Sequence, residues 1–252
     1  MRLSLLYNPR VALERLAIAS QRRRRFARLR GTPAAALSLG HIDSLEILET
    51  LSAAPPGVIY DVGANIGTWT CLAKSLFPSA RVEAFEPLTQ HFAAFQRWTA
   101  AWPADIRLHR CALGSSEHTA AMHVMDFSDA SSLLPLGAEG AREFGIRTTA
   151  EASVPVVPLD LLIAREKLTP PDLIKLDVQG YELEVLRGAT SALRTTRAIL
   201  CEISFGEYYS GQPPFAEIVA FLAAHGFALH ALGEGTALGR PLVQADALFL
   251  RR

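Results

Sequence analysis

The turn Asp61-Val62-Gly63-Ala64-Asn65-Ile66-Gly67 carries residue types that could bind a charged ligand at the end of a strand. Gly63 lets the backbone turn sharply beside a ligand, and Gly67 lets a following helix lie tight against a sheet. The spacing is G-x-x-x-G, not the G-x-G-x-x-G whose amides face a pyrophosphate. Asp61 would repel phosphates but suits a ligand bearing an ammonium and a sulfonium, and S-adenosylmethionine is such a ligand. On its own the glycine pair fits simple tight packing equally well. Glu86, closing the run Arg81-Val82-Glu83-Ala84-Phe85-Glu86-Pro87, shifts that balance. A carboxylate at the tip of a second strand can accept both hydroxyls of a ribose. Cys111-Ala112-Leu113-Gly114 then falls where an adenine ring would lie, with Ala112 offering backbone groups and Leu113 a cover.

A second set of polar residues stands inside apolar runs. Lys175 and Asp177 belong to Asp172-Leu173-Ile174-Lys175-Leu176-Asp177, and Glu202 to Ala198-Ile199-Leu200-Cys201-Glu202-Ile203. Buried charges are rare unless paired or functional. Asp177 is expected as the polar anchor of a site. If the two strands are neighbours, Lys175 and Glu202 form a buried pair; alternatively Glu202 is a general base or substrate clamp that Lys175 orients. An oxygen-rich magnesium site from Asp177, Glu202 and His41 or Asp43 is a minor alternative; no dense ligand spacing supports it, so no metal is expected. No nucleophile elbow, zinc signature or phosphate loop is present.

The elements that must position these groups alternate. Helical spacing over 41–51, 66–77, 89–102, 182–187 and 215–222 is interleaved with short apolar runs at 58–60, 81–85, 106–113, 172–177, 198–204, 227–232 and 247–250. Strands alternating with helices and buried on both faces imply an open α/β fold around a mainly parallel sheet. Gly188 reads as a helix C-cap. The aromatic stripe Phe92, Phe95, Trp98 and Trp102 reads as sheet-packing core. Residues 126–157 break the rhythm and read as a functional loop or cap.

Of 252 residues, half are apolar and 20% charged, with mean hydropathy +0.19. That composition excludes intrinsic disorder and supplies a full core. No apolar stretch reaches the roughly 18 residues needed to span a bilayer, and no signal-peptide core is evident. Three scattered cysteines suggest reduced thiols, hence a cytoplasmic protein. The zero net charge hides an asymmetry: residues 1–31 carry nine Arg and one Glu, the remainder 16 basic and 24 acidic side chains. Four consecutive arginines, Arg22 to Arg25, would surround a helix. They read as a solvated basic helix, or as a peripheral contact for an anionic membrane (the inner face) or a phosphorylated substrate. The acidic body and the lack of a base-reading module argue against nucleic acid.

Val58 to Gly67, Phe85-Glu86-Pro87 and the block Asp172 to Ala189 together resemble the FkbM-type methyltransferases, over roughly residues 57 to 250. The resemblance implies a class I methyltransferase (Rossmann-like) three-layer sandwich with a seven-stranded, mostly parallel sheet whose last strand is antiparallel. It implies S-adenosylmethionine as methyl donor, with Asp61, Gly63, Asn65, Gly67 and Glu86 as its contacts. The acceptor expected is a hydroxyl of a saccharide, glycolipid or polyketide-like natural product; Ser128 to Leu134 resembles a Ser-containing stretch of the family, which makes Ser131 and Ser132 candidate substrate contacts, a flexible surface loop being the alternative. Residues 1–56 would form an Arg-rich helical extension and 57–252 the catalytic domain. A nicotinamide-dependent oxidoreductase and a catalytically silent binding module are the alternatives.

Overall fold

The computed structural model describes residues 20–233 and 243–252. Seven strands form the main sheet: β1 (Val58–Val62), β2 (Arg81–Phe85), β3 (Ile106–His109), β7 (Leu173–Leu176), β8 (Ala198–Ser204), β9 (Phe227–Leu232) and β10 (Gln244–Arg251). Their spatial order is β3-β2-β1-β7-β8-β10-β9, parallel except for β10, which runs antiparallel to both neighbours. This is the class I methyltransferase arrangement that the resemblance implied.

Alternation within the strands feeds two cores. Tyr60, Val62, Ile174, Leu176, Ile199 and Cys201 point to one face, where α6 (Leu159–Glu166), α7 (Glu182–Arg187) and α8 (Phe215–Ala224) cover them. Ile59, Leu173, Ala198 and Leu200 point to the other, beneath α3 (Thr68–Leu76). That second core also takes Leu29, Leu45 and Leu48, from the helical residues 20–28 (α1) with the turn that follows, and from α2 (Leu45–Glu49). The N-terminal helices are therefore packed into one layer of the sandwich.

Two expectations are corrected. The run 106–113 is not one strand: it breaks at Arg110-Cys111, and Ala112–Leu113 (β4) leaves for a second sheet. Residues 126–157 are not simply a loop. They hold α5 (Ala138–Phe144) and the ten-residue β6 (Thr148–Val157), which pairs with β4 and with β5 (His118–Met125) in the order β4-β6-β5. Gly188 stands at the C-cap of α7 as expected, with φ −81°. It must be glycine because a Cβ there would come within 2.0 Å of the Gly114 carbonyl oxygen. From the aromatic stripe, Phe95 on α4 (Phe92–Thr99) is buried, and Trp98 and Trp102 pack partly buried on the core. Cys71, Cys111 and Cys201 are free and buried. Among the described residues no helix is long and apolar enough to cross a membrane.

Candidate active site

The carboxyl ends of β1, β2, β7 and β8 open into a cavity of about 230 Å³, which the amino end of antiparallel β10 also reaches. At one end the glycine turn meets the tip of β2. Gly63 has φ +81°, Asn65 φ +47° and Gly67 φ +85°, so the turn uses the left-handed region three times, at Asn65 with a cost only tertiary contacts can offset. The amide of Asn65 donates to Glu86 Oε2 (2.9 Å) and that of Leu88 to Oε1 (2.7 Å). The carboxylate, 4% exposed, is thus oriented by the main chain. His91 Nδ1 lies 3.2 Å from Oε1. Phe85, Leu88, Ala112 and Leu113 supply apolar wall. Asn65 Oδ1 and Trp69 Nε1 are buried in the lining without a hydrogen-bond partner among the described residues. Such groups are costly unless a ligand completes them.

At the other end, charges form a row across the sheet. Asp61 stands opposite Lys175 in the β1–β7 register, and Glu202 opposite Asp246 in the β8–β10 register. Lys175 Nζ lies 3.4 Å from Asp61 Oδ1 and 3.2 Å from Asp177 Oδ2. Burial alone would lower its pKa, but Asp177 and Asp61 outweigh that and raise it, so it stays an ammonium. Gln179, a non-glycine residue at φ +55°, sends Nε2 to both Asp177 Oδ1 and Glu202 Oε2 at 2.7 Å. Its Oε1 lies 3.0 Å from the Tyr209 hydroxyl, whose proton also faces the Ala130 carbonyl at 2.7 Å. Glu202 Oε2 takes a second bond from Gln244 Nε2 (3.2 Å). Oε1 of Glu202 is in no hydrogen bond among the described residues.

Burial first, then the charges of Asp177, Glu182 and Asp246, push the Glu202 carboxyl well above the ordinary range, with Lys175 opposing. Burial also raises Asp246, whose Oδ2 accepts the Ser44 hydroxyl at 2.5 Å. Burial and Asp246 raise Asp43 to about 6. The carboxylates are thus crowded with little cationic compensation, the condition in which a carboxylate becomes a competent proton acceptor near neutrality.

The pattern described as the methyltransferase FkbM domain matches residues 61–229. The chain belongs to the FkbM methyltransferase family. This FkbM methyltransferase is similar to the 2-O-methyltransferase NoeI of Sinorhizobium fredii, 30% identical over 210 residues, covering 80% of this chain and 84% of that one. It is 32% identical over 149 residues to the hexuronic acid methyltransferase AglP of Haloferax volcanii, covering 59% of this chain. The chain spans just over half of that relative, 56%. The 31-O-demethyl-FK506 methyltransferase FkbM of Streptomyces tacrolimicus is 26% identical over 217 residues, covering 77% and 81% of the two chains.

Of the residues expected to meet the methyl donor in this FkbM methyltransferase, Gly63, Asn65, Glu86, Ala112 and Leu113 line the cavity. Asp61 does not. It is 0% exposed, accepts the Thr70 hydroxyl at 2.5 Å and faces Lys175; burial raises its pKa, opposed by Lys175 and Thr70, which places it in the framework behind the wall. Gly67 is also behind the wall, where a Cβ would come within 2.9 Å of the Phe95 ring. The expected Lys175–Glu202 pair is replaced: Lys175 stands opposite Leu200 on β8 and reaches Asp61 and Asp177 instead. Asp177, Lys175 and Glu202 all line the cavity. Ser131 lines it too, whereas the fully buried Ser132 donates to the Gln179 carbonyl at 2.7 Å.

Sequence reasoning passed over Gln179, Ser44, Asp246 and Trp69. Asp246 carried the same signal as Glu202, a carboxylate in an apolar strand. His41 and Asp43 reach the cavity beside Asp177 and Glu202, but among the described residues no three His, Cys, Asp or Glu side chains group closely enough to hold a metal ion.

Proposed function

We propose that this methyltransferase draws its methyl group from S-adenosylmethionine and delivers it to a hydroxyl oxygen of a saccharide, glycolipid or polyketide-like acceptor. The reading is carried by one observation. A ribose-type carboxylate, Glu86, and a proton-accepting cluster, Asp177–Gln179–Glu202, line the same cavity. The unpartnered Asn65 Oδ1 and Trp69 Nε1 support a polar ligand there. The names of the relatives, which include a hexuronic acid methyltransferase and a 2-O-methyltransferase, support a sugar hydroxyl as acceptor.

S-adenosylmethionine, when bound, supplies a methyl group on a cationic sulfur that leaves readily. The chain must then align the acceptor oxygen, exclude water and take its proton. Glu86 would hold the ribose hydroxyls and Leu113 would cover the base. Glu202 Oε1 receives the acceptor proton. Gln179 fixes the other oxygen and so aims the carboxylate, while Lys175 pairs with Asp177 beside it. Burial, then crowding by Asp177, Glu182 and Asp246, makes Glu202 a stronger base than a solvated carboxylate.

Calorimetry with S-adenosylhomocysteine and, separately, NAD tests the donor. Binding of the first alone is expected; binding of NAD alone overturns the reading. Transfer of labelled methyl to a panel of hexuronic acids, amino sugars and polyketide alcohols then tests the acceptor.

A further inference from the structure

The helix α1 bears a face that methyl transfer does not use. Residues 20–31 contain six arginines and no acid, and the structure sorts those arginines into two kinds. Arg25 is 5% exposed and turned inward, its Nε donating to Glu46 Oε1 at 2.8 Å and its Nη2 lying 2.7 Å from Oε2. Arg28 reaches Glu46 and Glu49 on α2, at 3.6 and 3.0 Å. Of the four-arginine run only Arg25 is turned inward and paired; Arg22, Arg23 and Arg24 stay exposed, so the solvent side of the helix is cationic. Arg22, Phe26 and Arg30 follow at four-residue spacing, on one side of the helix and the turn after it. Arg23 flanks them, and together they line an open groove. The Arg22 guanidinium sits 5.8 Å over the Phe26 ring. Arg22, Arg23 and Arg30 are exposed and have no acidic partner among the described residues.

We infer that this face docks the protein on an anionic phospholipid bilayer. Three features favour a surface over a soluble phosphate. From Arg22 to Arg30 the charges are strung along about 12 Å of helix, whereas a single phosphate asks for donors that converge. Phe26, half-buried between them, offers an apolar edge of the kind interfacial helices use. The chain beyond residue 31 carries 16 basic and 24 acidic residues, so a negative surface attracts this side and repels the rest, which fixes the orientation. Leu29 shares a core with Leu45 and Leu48 of α2, and Asp43 and Ser44, just ahead of α2, line the cavity. The docked face and the acceptor end therefore belong to one packed corner.

Co-sedimentation of the full chain with phosphatidylcholine vesicles, with and without roughly a third phosphatidylglycerol, tests the inference. Pelleting is expected with the anionic vesicles alone, falling steeply as salt is raised. The triple change Arg22→Gln, Arg23→Gln, Arg30→Gln should weaken binding about fivefold per arginine, on the order of a hundredfold in all. Circular-dichroism melting checks that the variant is folded. The inference is overturned if the wild type stays in the supernatant, or if the triple variant pellets as well as the wild type. Binding of inorganic phosphate that the triple change abolishes, without vesicle binding, would overturn it in favour of a soluble phosphorylated ligand.

Discussion

At the β1–β2 end of the cavity, Glu86 is held by two backbone amides within a stretch that begins at Asp61. At the β7–β8–β10 end, Asp177, Glu202 and Asp246 are held by side chains: the amides of Gln179 and Gln244, one serine hydroxyl and one lysine. Main-chain donors are placed by the fold itself and give a fixed hydrogen-bonding geometry. Side-chain donors drawn from β7, the turn after it, β10 and the loop before α2 leave the acids only partly compensated, and burial together with neighbouring negative charge raises a pKa. The first end suits recognition and the second proton transfer.

The sharpest way to break this contrast is at the lysine that underpins the charged end. Lys175→Met leaves the fully buried Asp61 with Thr70 alone, and should cost about 3–5 kcal/mol in a urea melt. A variant as stable as the wild type would mean that the row of charges is not structural. Glu202→Gln keeps the shape and removes the base. It should lower kcat about a hundredfold or more while S-adenosylhomocysteine still binds. In the wild type kcat should fall as pH drops through the raised pKa of Glu202, above the roughly 4.3 of a solvated glutamate. The fall occurs because the base must be ionised to act; the Gln variant should lose that limb.

Glu86→Gln should do the opposite: weaken donor binding about tenfold to a hundredfold, with kcat at saturating donor little changed. A loss confined to kcat would erase the division of labour. The smallest effect is expected for Ser44→Ala, which removes one bond to Asp246. A cost of about 1 kcal/mol is expected, with a few-fold rise in acceptor KM measured by initial rates.

The contrast also explains what could be read in advance. The β1–β2 end lies between Asp61 and Glu86, so a local pattern of glycines and acids revealed it, although Asp61 turned out to serve the framework. Its burial depends on where Lys175 and Thr70 arrive, which no local pattern records. Glu202 and Lys175 stood out as charges in apolar strands, yet their pairing followed the register, with Lys175 opposite Asp61 and Leu200. Gln179 and Ser44 are ordinary polar residues whose importance comes only from what faces them. The small sheet escaped because β6 is mostly exposed and carries Ser, Thr and Glu where a buried strand would carry valine.

Tyr209 has one hydroxyl proton and two acceptors, Ala130 and Gln179. The first belongs to the stretch whose Ser128, Asp129 and Ser131 line the cavity, the second to the amide that aims the base. Because Nε2 of Gln179 faces two carboxylates, its oxygen can only face the tyrosine, so the amide is locked against flipping. If that stretch shifts when an acceptor enters, the proton passes wholly to Gln179. Entry of the guest and tuning of the base are then parts of one mechanical event.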